Sequence, residues 1–277
     1  MYLCNEKRNK RLMARFVQIT SVHNDKVKFV AELQQKSSLR RETGLAVVEG
    51  RRELTHCIES GYEIQSLFLC RPMMDGSSLD VLNQCDCPCY DVSPDVYARM
   101  AYRGSTEGVI AIVKQKLIIL DDLSFNSSPL VVVVESVEKP GNLGAVLRSA
   151  EAAAVDAMIV CDPKTDLYNP NLIRSSIGGV FRVPCVACTS EQCIHFLKAR
   201  GIQILTAQLQ DSELYYNTDM KRPTAIVMGT ESTGLTNVWR DAADAHIRIP
   251  MNGALDSLNV SISAAILIFE AVRQRNL

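Results

Sequence analysis

The sequence predicts an α/β protein in two parts, and three observations lead there. Short apolar stretches of strand length alternate with helical patterns along most of the 277 residues. Leu130-Val-Val-Val-Val134 is continuously apolar, as in a parallel strand covered on both faces. Between the halves, residues 116–129 hold Asp121-Asp122 and the turn-rich Asn126-Ser-Ser-Pro129, which read as a linker. The expectation is a small α/β domain over 1–115 and, over 130–277, an open, mostly parallel sheet with helices on both faces.

In the first half, apolar spacing predicts a helix over 26–35, through Val27, Val30, Ala31 and Leu33. A strand over 45–48 follows, and then a helix over 51–60 ended by Gly61. Residues 64–70 and 108–113 read as strands. Between them a short helix over 94–101 has Ser93 as cap and Pro94 in the first helical position.

In the second half, strands are expected at 130–134, 157–161, 183–188, 202–207, 224–229 and 245–249. Helices are expected at 145–154, 172–180 and 191–198, with a long one over 260–275 capped by Ser257. Arg273 and Arg275 fall in its last turn, where cations suit the helix dipole.

The formal net charge is −1, which excludes a uniformly basic nucleic-acid glove. The distribution is uneven. Residues 1–41 hold ten Lys and Arg against three acids, +7, leaving −8 for the rest. That segment reads either as a solvated face or as a phosphate-contacting patch. Ten cysteines raise disulfide and metal readings. A chain with 47% hydrophobic residues has core enough to do without disulfides. Cys85, Cys87 and Cys89 form one cluster, and Cys185 and Cys188 a pair, but neither meets a second pair at zinc spacing. No metal is expected, and the thiols are read as reduced. The first ten residues are charged rather than apolar, and no apolar run approaches a membrane span. A cytoplasmic protein is the expectation, with no membrane partner.

Ligands of such sheets bind outside the carboxyl ends of the strands, so the loops there carry the functional reading. The first loop runs from Glu135 through Pro140-Gly-Asn142-Leu-Gly144 to Arg148. Without G-x-G-x-x-G it does not support a dinucleotide site. The second is Gly229-Thr-Glu231, a strand running into a glycine and a carboxylate. The third is Ile249-Pro-Met251 through Ser257-Leu258-Asn259, a loop feeding a helix start, where unpaired N–H groups can meet a polar ligand. Each loop alone is also what an ordinary strand–loop–helix unit would show.

Together, in this order, they resemble the SpoU–TrmH family of RNA ribose 2′-O-methyltransferases, within the SPOUT superfamily. The resemblance rests on N-x-G-x-x-x-R at Asn142–Arg148, G-x-E at Gly229–Glu231 and I-P-M…S-L-N-V-S at Ile249–Ser261. Arg174-Ser-Ser-Ile-Gly-Gly is similar to the family's intermediate segment. The first half resembles, more loosely, the substrate-binding domain often fused to this family, a small α/β fold shared with certain ribosomal proteins. Its cues are Ile19-Thr-Ser21, Val47-Val-Glu49-Gly50 and Thr106-Glu-Gly108.

The resemblance implies a deep trefoil knot, S-adenosylmethionine as cofactor with no metal, and a homodimer with its site at the interface. It implies Arg148 as the catalytic residue, supplied by the same chain or by the partner. Asn142, Ser257 and Asn259 would orient ribose, arginine and cofactor, with Glu231 fixing Arg148 or Asn142. Groups at Thr206, Ala207, Gly229, Ile249, Met251, Ser257 and Leu258 would receive the cofactor. Lys28, Arg40, Arg41 and Arg174 would contact RNA. A guanidinium keeps its proton, so clamping a phosphate and a developing alkoxide suits Arg148 better than acting as a plain base. Ribosomal RNA is favoured over transfer RNA as substrate. Two rival readings remain. One is an RNA-binding protein that kept the fold and lost turnover, against which the intact residue set counts. The other is a doubly wound enzyme with a nucleotide cofactor, against which the missing glycine fingerprint counts.

Overall fold

The computed structural model describes residues 16–74, 86–102, 107–254 and 257–276. Its contacts divide the chain into two compact units. One comprises Met1–Lys116 with Tyr168–Pro170, the other Leu117–Leu167 with Asn171–Leu277. The basic stretch near the N-terminus falls partly outside these ranges: Lys7, Arg8, Lys10, Arg11 and Arg15 lie outside the described residues, as do Cys85 and Thr106.

The first unit contains β1 (Phe16–Ile19), α1 (Asp25–Gln35), α2 (Ser37–Thr43), β2 (Leu45–Glu49), α3 (Arg51–Glu59) and β3 (Ile64–Leu69). β4 (Cys89–Val92), α4 (Pro94–Met100) and β5 (Val109–Lys114) follow. The sheet order is β1-β4-β3-β5-β2, with β5 antiparallel to both neighbours and the other pairs parallel. α1 turns Val27, Val30 and Leu33 onto Val47, Phe68 and Ile110, and α4 adds Val96, Tyr97 and Met100 to the same core. Ser93 caps α4 as its position predicts, accepting from the Val96 N–H.

Arg40 corrects an expectation. It is 2% exposed, and its guanidinium donates to the carbonyls of Leu33 and Gln34 at the end of α1. Those carbonyls lack intrahelical partners, so the arginine satisfies a helix end and does not face phosphate. Lys28 and Arg41 are exposed, Lys28 beside Asp25 at 3.1 Å.

The second unit contains β6 (Leu130–Glu135), α5 (Pro140–Ala152), β7 (Ala157–Cys161), α6 (Pro170–Ser175), α7 (Gly179–Arg182) and β8 (Cys185–Cys188). It continues with α8 (Ser190–Ala199), β9 (Gln203–Ala207), β10 (Glu213–Leu214), β11 (Thr224–Met228), α9 (Asn237–Ala242), β12 (Ala245–Arg248) and α10 (Val260–Arg275). The sheet order is β10-β12-β9-β11-β6-β7-β8, with every pair parallel. Val131, Val133, Ile159 and Val227 face α8 and α9, which contribute Phe196, Leu197 and Trp239. The alternate residues Val132, Val134 and Ile226 are equally buried, on the side where α10 meets β11 and packs along α5.

Three local expectations change. α5 begins at Pro140, five residues earlier than expected, because proline suits the first helical turn. The helix expected over 172–180 is broken into α6 and α7 by Gly178, in the left-handed region at φ 75°. The cap of α10 is Asn259, not Ser257: its Oδ1 accepts from the Ser261 N–H at 3.0 Å. Arg273 pairs with Glu270, which holds the Glu270 carboxyl below its usual range. Arg275 does more than meet the helix dipole. It donates to the carbonyls of Met220, Ser128, Pro129 and Arg222 and so ties the end of α10 to the chain before β6 and before β11.

Candidate active site

β9, β11 and β12 end side by side, and their carboxyl ends open into a cavity of about 350 Å³. That is the place where parallel sheets bind ligands, and the volume suits a small molecule of cofactor size. Ala207, Gly229, Ile249, Met251, Ser257 and Leu258 line it, drawn from all three strand ends and the run into α10.

Gly229 is fixed by close approach. After β11 the chain closes on itself through hydrogen bonds between Thr230 and Gly234, 3.3 and 3.0 Å. A Cβ on Gly229 would overlap the Gly234 carbonyl and the Leu235 nitrogen. Any side chain there would force the turn away from the cavity wall. Gly234 at φ 68° completes the turn, and Thr230 and Thr233 share a hydroxyl hydrogen bond of 2.7 Å.

This turn projects Glu231 toward the starts of two helices. Its Oε1 accepts from Asn142 Nδ2 at 3.0 Å, Asn259 Nδ2 at 2.6 Å and the Val260 N–H at 3.2 Å. Asn259 Nδ2 also lies 3.3 Å from Asn142 Oδ1. An ionised carboxylate only accepts, so both amides must turn their NH2 groups toward it. The Asn142 oxygen is thereby directed away from the carboxylate, while the Asn259 oxygen caps α10. One carboxylate thus joins the N-terminal turns of α5 and α10, far apart in sequence. Negative charge between two helix starts is also favoured by both dipoles.

The remaining expected residues are distributed differently. Glu231 holds Asn142, not Arg148. Arg148 is exposed on α5, outside the cavity wall of its own chain, and has no hydrogen-bond or ion-pair partner among the described residues. Thr206 does not line the cavity. It is fully buried behind it, with Oγ1 hydrogen-bonded to His246 Nδ1 at 2.6 Å. Arg174 is exposed on α6.

Sequence reading missed two groups that line the cavity, Gln208 and Arg240. Gln208 Oε1 and Arg240 Nε are buried without a hydrogen-bond partner among the described residues. Both atoms are closed off from the cavity space itself, as are other orphaned polar atoms of the chain, Gln34 Oε1 and Thr218 Oγ1 among them. The signal for Gln208 was its place directly after β9; nothing in the sequence singled out Arg240. Glu135, at the end of β6, is the opposite case. It is buried and engaged by the Thr236 N–H at 2.9 Å and the Thr236 hydroxyl at 2.6 Å. It ties the end of β6 to the start of α9.

Comparison with known proteins places this architecture. Residues 129–269, just over half of the chain, match the SpoU rRNA Methylase family. The chain belongs to that family. Residues 24–111 match the MRM3-like substrate binding domain. Among its relatives is the 23S rRNA (guanosine(2553)-2′-O)-methyltransferase RlmP of Bacillus subtilis, 26% identical over 91% of this chain and 98% of that one. A crystal structure described as an RNA 2′-O ribose methyltransferase superposes with a TM-score of 0.84 at 33% identity, covering 94% of this chain and all of the other. The AdoMet-bound rRNA methyltransferase of Sinorhizobium meliloti superposes with a TM-score of 0.86 at 28% identity, covering 94% and 98%.

Proposed function

We propose that this SpoU-family chain transfers a methyl group from S-adenosylmethionine to a ribose 2′-hydroxyl of ribosomal RNA. The observation that carries the reading is the cavity at the ends of β9, β11 and β12, with the Glu231 hydrogen bonds joining the starts of α5 and α10 at its edge. The family match and the AdoMet-bound neighbour support the cofactor, and the 23S rRNA relative supports the substrate class.

The cofactor supplies an electrophilic methyl group, so no metal is needed for the transfer. The chain's residues do the rest. Ala207, Gly229, Ile249, Met251, Ser257 and Leu258 would hold the adenosyl and methionine portions. Gln208 and Arg240 would add polar side chains to the cavity wall beside the ligand. Asn142, positioned by Glu231, would present its Oδ1 to the arriving ribose or to Arg148. The 2′-hydroxyl is a poor nucleophile that must lose its proton as it attacks. Arg148 would clamp a phosphate and the developing alkoxide, a charge-assisted role that a guanidinium performs without giving up its proton.

Arg148 lies outside its own chain's cavity wall, which favours supply of this residue across a homodimer. The reading further includes a trefoil knot among the loops that build the cavity, and action in the cytoplasm. No helix among the described residues is long and apolar enough to cross a membrane. The first unit would bind RNA, in keeping with its substrate-binding-domain match, through Lys28 and Arg41. In the second unit Arg174 would add an RNA contact.

Calorimetric titration with S-adenosylmethionine tests the site. Saturable binding by the wild type that Gly229→Val abolishes, with far-ultraviolet circular dichroism unchanged, is the expected result. Binding that tolerates Gly229→Val would move the cofactor elsewhere.

A further inference from the structure

Three cysteines scattered in sequence meet at one corner of the second unit. Cys161 ends β7 and Cys188 ends β8, and the parallel register sets them directly opposite each other. Side chains opposite in register share a face of the sheet. Over that face lies α8, whose first turns bring Cys193. The three sulfurs lie within 4.8 Å of one another. Cys161 and Cys193 are fully buried, and Cys188 is half-buried.

Apolar packing alone does not call for three thiols converging on one point. Three thiolates around one zinc ion, at bonds of about 2.3 Å, stand roughly 3.8 Å apart, so small rotamer adjustments would bring these sulfurs to ligating distance. Cys188, the least buried of the three, is the sulfur an incoming ion can reach first. A soft cation would displace the thiol protons as its bonds to sulfur form.

We propose that Cys161, Cys188 and Cys193 bind one thiophilic divalent cation of the zinc class, which clamps β7, β8 and α8 together. Among the described residues no further His, Cys, Asp or Glu joins the trio. The Asp162 carboxylate beside it is held by Ser190 Oγ at 2.6 Å. Solvent entering beside Cys188 completes a four-coordinate ion. On binding, each thiol releases its proton to solvent as its sulfur–metal bond forms, and no electron transfer is involved. Cys87 and Cys89, the described cysteines of the other sequence cluster, are not among the trio.

The test uses the full chain, reduced and stripped with a chelator, then titrated with Cd²⁺ while thiolate-to-metal charge-transfer absorption is followed. Zn²⁺ is added in a parallel thermal melt. One ion per chain at saturation, with a zinc-induced rise in Tm that chelator reverses, is expected. Cys188→Ala, at the least buried position, should lose both effects, and Cys193→Ala should repeat the loss. Cys185→Ala and Cys87→Ser should keep them. Absence of saturable binding by the wild type overturns the proposal. So does binding that survives Cys188→Ala with its fold intact. A disulfide within the trio, found by mass mapping of alkylated but unreduced protein from the cell, would equally overturn it and make the trio a redox pair with a spectator.

Discussion

Removing the Glu231 carboxylate should slow the enzyme while barely loosening its fold. Glu231→Ala deprives Asn142, Asn259 and the Val260 N–H of a shared acceptor at 3.0, 2.6 and 3.2 Å. A hydrogen bond to a charged group is worth about 1.5–3 kcal/mol, but Glu231 is exposed and water can replace it. A net loss of about 1–2 kcal/mol follows, so Tm should fall by only a few degrees. Spent on positioning Asn142 in the transition state, the same free energy is a factor of about 5–30 in turnover. A double-mutant cycle with Asn142→Ala gives the stricter check. If Glu231 acts by holding Asn142, the second substitution should cost little more once the first is present. Single-turnover methyl transfer from tritiated S-adenosylmethionine, read at saturating cofactor, measures both. Additive losses, or full turnover by Glu231→Ala, would refute the reasoning.

Arg148→Ala should abolish methyl transfer while leaving cofactor binding largely intact, by calorimetry. Mixing Arg148→Ala chains with Gly229→Val chains should restore partial activity if the arginine crosses between subunits. Arg275→Met should lower stability by about 2–4 kcal/mol, because four carbonyls lose a charged donor at once, and chemical denaturation will show it. Arg40→Ala should destabilise the first unit without changing the salt dependence of RNA binding. Neutralising Lys28 and Arg41 should flatten that salt slope by about one to two units without affecting the melt.

The parallel sheet was legible because its strands are buried on both faces. Leu130–Val134 could be read as such a strand without knowing its neighbours, and the structure buries all five residues. The Asn142, Glu231 and Asn259 motifs were legible as a set, and the structure brings those three side chains into one hydrogen-bonded group. What escaped depended on three-dimensional partners. Ser257 and Asn259 are both good capping residues, and only the path of the chain into α10 decides between them. Arg40 reads as one more charge in a basic segment until two helix-end carbonyls claim it. Thr206 sits one residue too early along β9, behind the cavity wall that Ala207 reaches. The sulfur trio has no spacing signature at all, since it arises from strand register and from a helix laid over it.

The central claim is met most directly by mapping ribose methylation across the ribosomal RNA of cells with and without this chain. The account predicts that one 2′-O-methyl mark disappears on deletion, returns with the wild type and stays absent with Arg148→Ala. An unchanged map, or a lost mark that proves to lie on a base, would contradict it.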